Sequence, residues 1–294
     1  MIVITAPTGD IGHQVLKNVP DGDEPIRVIA RDPAAIPLSI RDRIEVVQGS
    51  HSDRDVVDRA FAGADALFWL VPADPHAKSV EAAYVDFSRP ACEAIKSHGV
   101  KRVVDITPLG RGSPLAAHAG YVTASLAMDD LIADTGVTFR PLTMPSFMDN
   151  LLMQLDPIKT KGTFFSPIDG DRKLPACATR DIAATAAKLL IDPSWSGRHH
   201  LAILGPEDMS FNGMAQIMSE VLGKPVRFQQ ITFEAYKAQF LKLGMSDAMA
   251  QGMTDMARAK NEGLDNVEPR TPESTTPTGF RQWCEEVLRP AIHA

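Results

Sequence analysis

Short apolar runs recur through the first half of the chain, at Ile2 to Thr5, Ile26 to Ala30, Ile44 to Val47, Ala66 to Val71, Arg102 to Ile106 and Val137 to Leu142. Between them lie stretches whose apolar residues fall at helical spacing: Ile11 to Lys17, Asp53 to Phe61, Ala77 to His98 and His118 to Asp134. Apolar strands alternating with amphipathic helices predict a parallel sheet covered on both faces. Gly99 and Gly136 stand where helix C-termini favour glycine.

Beyond about Pro145 the alternation loosens. Helices are expected at Phe147 to Leu155, Asp181 to Leu190, Ser210 to Leu222, Phe233 to Leu243, Asp247 to Lys260 and Gly279 to Leu288, with a strand near His200 to Leu204. Glu268 to Pro277, rich in Pro and Thr, reads as a loop. The length of 294 residues accommodates two units. The expected division is 1–145 and 146–294, with segments exchanged between them.

The first strand runs into Thr5-Ala6-Pro7-Thr8-Gly9-Asp10-Ile11-Gly12. A glycine turn between a strand and a helix brings backbone N–H groups and a helix N-terminus to a pyrophosphate. Gly9 would let the phosphates approach, and Gly12 would let the helix pack closely. Ala6 stands where the usual motif has its first glycine. Arg31, about twenty residues on at the end of the second strand, suits the 2′-phosphate of NADP(H), whereas an acidic residue there holds the ribose of NAD(H). Asp32 keeps the second option open. The expected fold is therefore α/β, a Rossmann-type doubly wound parallel sheet with a smaller α/β C-terminal substrate domain. NADP(H) is the expected cofactor, with NAD(H) as the alternative. Its expected contacts are Thr8, Gly9, Asp10, Ile11, Gly12, Arg31, Val71, Pro72 and Thr107.

Composition narrows the partners. The net charge of -7, with no basic stripe, argues against a nucleic-acid partner. Met1 to Ala6 is too short for a membrane span and lacks the basic flank of a leader, and nothing else is long enough to span. Cys92, Cys177 and Cys284 are far apart and form no zinc spacing, which fits a reducing cytoplasm. His199-His200 also lacks metal spacing. Met245, Met249, Met253 and Met256 form a helical stripe, expected as core more than as a cover over an apolar ligand. Trp69 is expected in sheet packing.

Several motifs together resemble the NmrA-like group of atypical short-chain dehydrogenases/reductases. Ala6 to Gly12 resembles that family's TGATGxxG turn, and Arg31-Asp32-Pro33 its Arg-Asp-Pro. Asp134 to Pro141 is similar to its SGLxxTxLRP signature, and Phe147 to Asn150 to its FMxN. Arg180 to Ala183, Gly205 to Glu207 and Ser219 to Val226 extend the resemblance through the second half. It implies a cofactor-binding domain, a small C-terminal domain and a substrate cleft between them.

Many relatives of this kind use a Tyr as general acid, with a Lys four residues on to stabilise the tyrosinate. Counting back from Gly136, Tyr121 takes the Tyr position and Ser125 the Lys position. Thr107 stands where a Ser or Thr would hold the substrate oxygen. Tyr121 and Thr107 are the candidate catalytic residues, and Pro72, Met144 and Phe147 the expected pocket walls. Asp129 is expected to cap or solvate. Two functions fit. One is an NADP(H)-dependent oxidoreductase passing hydride to a small apolar carbonyl, quinone or related acceptor. The other is a non-catalytic NADP(H) redox sensor acting through a regulatory protein partner.

Overall fold

The computed structural model describes residues 1–19 and 24–293. The strands are β1 (Ile2–Thr5), β2 (Ile26–Ala30), β3 (Glu45–Gln48), β4 (Ala66–Trp69), β5 (Arg102–Pro108), β6 (Thr138–Met144), β7 (Ser146–Phe147), β8 (Thr163–Ser166), β9 (Leu174–Cys177), β10 (Leu201–Ala202), β11 (Asp208–Met209) and β12 (Arg227–Gln230). The helices are α1 (Asp10–Asn18), α2 (Leu38–Arg41), α3 (Arg54–Phe61), α4 (Phe87–His98), α5 (Tyr121–Ala133), α6 (Leu155–Lys161), α7 (Thr179–Ile191), α8 (Phe211–Leu222), α9 (Phe233–Lys242), α10 (Asp247–Asn261), α11 (Phe280–Trp283) and α12 (Arg289–His293).

Seven strands form one parallel sheet in the order β3-β2-β1-β4-β5-β6-β10. The order reverses between β1 and β4, the switch point at which open α/β sheets bind ligands beyond their C-terminal strand ends. One face carries Ile2, Ile4, Val28, Phe68 and Val104 against α1 and α7. The other carries Val3, Leu67, Trp69 and Val103 against α3, α4 and α5. Each strand is thus apolar on both sides, as a doubly covered sheet requires. The edge strand β10 comes from the second half of the chain, pairing Leu201 with Leu142. A second core around Phe164, Phe280 and Trp283 supports two small sheets, β11-β9-β7 and β12-β8.

Three expected elements differ. The helix over Ala77 to His98 is interrupted, because Pro90 has no N–H to donate to the preceding turn. The chain widens into a π turn over Ala82–Asp86 before continuing as α4. The last helix widens likewise over Cys284–Leu288, just before Pro290, and then runs on to His293. Phe147 to Leu155 is not an α-helix: β7 takes Phe147, and a 3₁₀ turn spans Met148–Gln154. The segment Glu268 to Pro277 is irregular, as expected, but it is knitted into the core. Leu204 exchanges backbone hydrogen bonds with Ser274 and Thr276, and the buried Asp181 accepts from the N–H and hydroxyl of Thr278 at 3.0 and 2.8 Å.

Candidate active site

The turn after β1 is shaped by two close approaches. Gly9 donates its N–H to the Ala6 carbonyl at 3.1 Å. A Cβ on Gly12 would lie 2.0 Å from that same oxygen, so α1 can begin here only with a glycine at 12. A Cβ on Gly9 would make an ordinary 3.5 Å contact, so the fold itself leaves room there. Ala6 adopts φ 49°, a left-handed conformation that costs a residue with a Cβ about 1–2 kcal/mol. Its backbone thus does what the motif's first glycine does, under strain. Thr8, Gly9 and Asp10 are exposed, Ile11 and Gly12 buried, and α1 points its N-terminus out of the turn.

At the end of β2 the Asp32 carboxylate accepts the Ala34 N–H at 2.9 Å and caps its own 3₁₀ turn. Arg31 is exposed, and its guanidinium makes no hydrogen bond or ion pair among the described residues. The local turn therefore occupies Asp32 and leaves the cation available.

A cavity of about 300 Å³ lies beyond the C-terminal ends of β4, β5 and β6. Thr107, Tyr121, Met144, Phe147 and Val71 all line it. Pro72 does not: it is exposed, and Leu70 and Val71 form that wall, because β4 stops at Trp69 and the chain turns outward two residues later. Thr5 sets this turn by accepting the Leu70 N–H at 2.9 Å and donating to the Phe68 carbonyl at 3.0 Å. The buried His51 holds the Leu70 carbonyl from outside at 3.0 Å, edge-on to Trp69 and Phe87. Burial pushes this imidazole down to about 4, so it is neutral at pH 7.

Thr107 and Ser125 face each other across the β5–α5 interface, hydroxyl to hydroxyl at 3.4 Å. Tyr121 lies one helical turn before Ser125, its ring edge-on to Tyr84 with centroids 5.8 Å apart. Burial, with Tyr236 nearby, pushes the Tyr121 phenol up to about 12. No lysine stands beside it on α5.

Behind these hydroxyls sits a carboxyl pair. Asp105 and Thr107 share the α5-facing side of β5, and Ser125 and Asp129 share one face of α5. Asp129 is 2% exposed, not solvated as expected, and takes Arg111 at 3.4 Å. Burial first, and then the Asp129 charge, pushes Asp105 well above the carboxylate range. Burial raises Asp129 to about 6, against the pull of Asp105, Thr107 and Arg111.

The second half of the chain supplies the roof, which the sequence reading largely missed. In α10, Met249 is fully buried in the core, whereas Met253 and Met256 line the cavity. The methionine stripe is therefore divided between the core and the cavity wall. Lys260, Ser146 and Asn150 line the cavity too. Of the other features weighed, Trp69 is buried and donates to Ser88 at 3.2 Å. His199 and His200 are exposed, with His200 2.9 Å from Glu268. No group of three metal-ligating side chains occurs among the described residues. The three cysteines are free and buried.

Comparison with known proteins agrees with this architecture. The chain is 28% identical to the NAD(P)H azoreductase of Xenophilus azovorans, over 94% of this chain and 93% of that one. It is 29% identical to the (4-alkanoyl-5-oxo-2,5-dihydrofuran-3-yl)methyl phosphate reductase of Streptomyces griseus, over 97% of each. Its fold matches the Escherichia coli NADPH-dependent quinone oxidoreductase complexed with NADPH at a TM-score of 0.79, with 21% identity, covering 98% of this chain and all of that one. Residues 7–193 match the NAD(P)H-binding family and residues 135–284 the NmrA-like family. Strand order, glycine turn and C-terminal cover thus converge with sequence, and the chain belongs to the NmrA-like family.

Proposed function

We propose that this protein is an NADPH-dependent oxidoreductase acting on a small, largely apolar carbonyl, quinone or related acceptor. The observation that carries the reading is the cavity itself: three hydroxyls, Thr107, Tyr121 and Ser125, set among apolar walls at the sheet's switch point. The reductase activities named for the two relatives above support it.

The residues present fit the cofactor. The turn from Thr8 to Ile11 offers backbone N–H groups and the α1 N-terminus to a pyrophosphate. Gly9 puts no side chain where phosphate must approach, and Arg31 offers its guanidinium to a 2′-phosphate. Bound NADPH supplies a hydride. The chain's part is to orient the acceptor with Thr107 and Tyr121 and to exclude water with Met144, Phe147, Met253 and Met256. Residues 1–145 hold the cofactor in this scheme. Residues 146–294 close the substrate side and lend β10 and α7 to the first unit.

Loss of NADPH absorbance with a panel of quinone, carbonyl and azo acceptors tests the proposal. Steady, acceptor-dependent oxidation is expected. Tight NADPH binding with no oxidation by any acceptor would overturn it in favour of the redox-sensor reading. Among the described residues no helix is long and apolar enough to cross a membrane.

A further inference from the structure

The cavity wall carries one buried cation. Met253, Met256 and Lys260 lie at i, i+3 and i+7 on α10, so one helical face turns all three toward the cavity they line. Lys260 is 5% exposed. Its ammonium donates to Asp265 Oδ2 at 2.6 Å and to Ser146 Oγ at 3.2 Å. An ammonium has three donors, and these two bonds leave one without a partner among the described residues. Asp265 is 1% exposed, and its Oδ1 is buried with no hydrogen bond.

Such a pair is a poor device for stability alone. Desolvating two charges costs several kcal/mol per ion, and apolar side chains of similar volume would serve the fold as well or better. The pair also holds Lys260 in one place, tied to the strand β7 that begins beside the cavity. A spare N–H on a fixed cation in a largely apolar, half-enclosed site is the feature that stabilises negative charge as it develops.

We infer that Lys260 is the cation that receives the developing oxyanion of an oxygen-bearing acceptor, in place of the lysine absent from position 125. This rests on the reductase reading and sharpens it: the acceptor class is one whose reduction puts negative charge on oxygen, such as a quinone. Hydride delivers two electrons and one hydrogen to the acceptor, and the oxygen that gains charge takes the third N–H of Lys260. A proton from water then completes the hydroquinone, so one acceptor, one NADPH and one proton give the hydroquinone and NADP⁺. Asp265 and Ser146 are positioning residues for the ammonium.

The test has two arms. The first titrates wild-type protein with 4-nitrophenol, a phenol that ionises near neutral pH and whose phenolate absorbs distinctly. Lys260 should hold it as phenolate at a pH where the free compound is mostly phenol, and Lys260→Met should abolish the shift. The second compares kcat for a quinone with kcat for a cationic triarylmethane dye, whose reduction by hydride creates no anion. Lys260→Met should lower quinone kcat by roughly 10²-fold, leave the dye little changed and leave NADPH affinity intact. Lys260→Arg should restore part of the quinone rate. If Lys260→Met does not fold, Lys260→Met/Asp265→Leu removes both charges for the same comparison. Equal losses on both acceptors, or a bound nitrophenol with its free ionisation unchanged, would overturn the assignment. Should wild type reduce neither of these nor any acceptor of the wider panel, the reductase reading fails, while the nitrophenol titration still decides whether Lys260 receives an oxyanion.

Discussion

Gly120 and Gly252 meet backbone to backbone. A Cβ on Gly120 would lie 2.1 Å from the Gly252 carbonyl oxygen, and Gly120 holds φ 53°. This contact seats α10 on the start of α5, and so sets Met253, Met256 and Lys260 across the cavity from Tyr121 and Ser125. Gly120→Ala meets both a backbone clash and left-handed strain. It should lose at least about 2 kcal/mol of stability in denaturant unfolding and weaken acceptor binding more than NADPH binding. A variant as stable as wild type would show that α10 shifts freely.

The two turn glycines should part company. Gly9→Val should fold and lose cofactor affinity, because its Cβ finds room in the protein but stands where phosphate approaches. Gly12→Ala should fail in folding, since its Cβ would strike the Ala6 carbonyl. Circular dichroism and NADPH titration on both variants separate the effects. Undiminished affinity in folded Gly9→Val would remove the turn from the cofactor site.

This turn was legible in the sequence because everything that makes it is local: an apolar strand, two spaced glycines and a helix. The strands β1, β2 and β4 to β6 were legible for the same reason. β12 was not, since Arg227-Phe228-Gln229-Gln230 has a single apolar residue and pairs only with the equally short β8. Pro72 was misplaced by two residues of strand length. Lys260 had no local signal beyond its spacing from Met253 and Met256. It reaches the cavity because α10 folds back over α5, a tertiary event that no window of sequence contains. Asp129 looked like a solvated helix residue. Only the facing Asp105 on β5 shows that it is buried.

Cofactor choice should rest on Arg31. A charge-assisted hydrogen bond to a 2′-phosphate contributes about 1.5–3 kcal/mol. Arg31→Ala should thus weaken NADP(H) binding roughly ten- to a hundredfold and NAD(H) binding little. Calorimetric titration of both nucleotides checks this, and equal losses for the two would show that Arg31 does not read the phosphate.

The carboxyl pair should cost stability at neutral pH. Burial raises both groups above their unfolded values, so the native state binds the extra protons. Stability from Asp129 is full below the ordinary carboxylate range and is lost as pH rises through about 6. Arg111 is the charge facing the pair; it is itself paired with the exposed Asp130 and offsets only part of the cost. Asp105→Asn offers Asp129 an amide donor in place of a shared proton. It should stabilise the protein by about 1–3 kcal/mol at pH 7 and flatten its decline between about pH 4 and 6. Urea unfolding across that range measures both. A variant less stable at pH 7 would mean that the protonated acid makes contacts an amide cannot.

Tyr121 should orient the acceptor more than protonate it. Its phenol sits at about 12, raised by burial and by Tyr236, and Ser125 brings no charge to lower it. A general acid works best with its pKa near the working pH, and this one is far above. Tyr121 still lines the cavity within one helical turn of Ser125, where it can hold an acceptor in place. Tyr121→Phe should therefore reduce kcat by about tenfold or less, below the factors typical of a lost general acid. The larger effect should fall on KM for acceptors that accept a hydrogen bond. A thousandfold fall in kcat would instead show that the phenol gives up its proton in the reaction, with Lys260, the one lysine lining the cavity among the described residues, as the cation that makes this affordable. The double variant Tyr121→Phe/Lys260→Met separates the two cases, since independent roles give multiplying losses and a shared one does not.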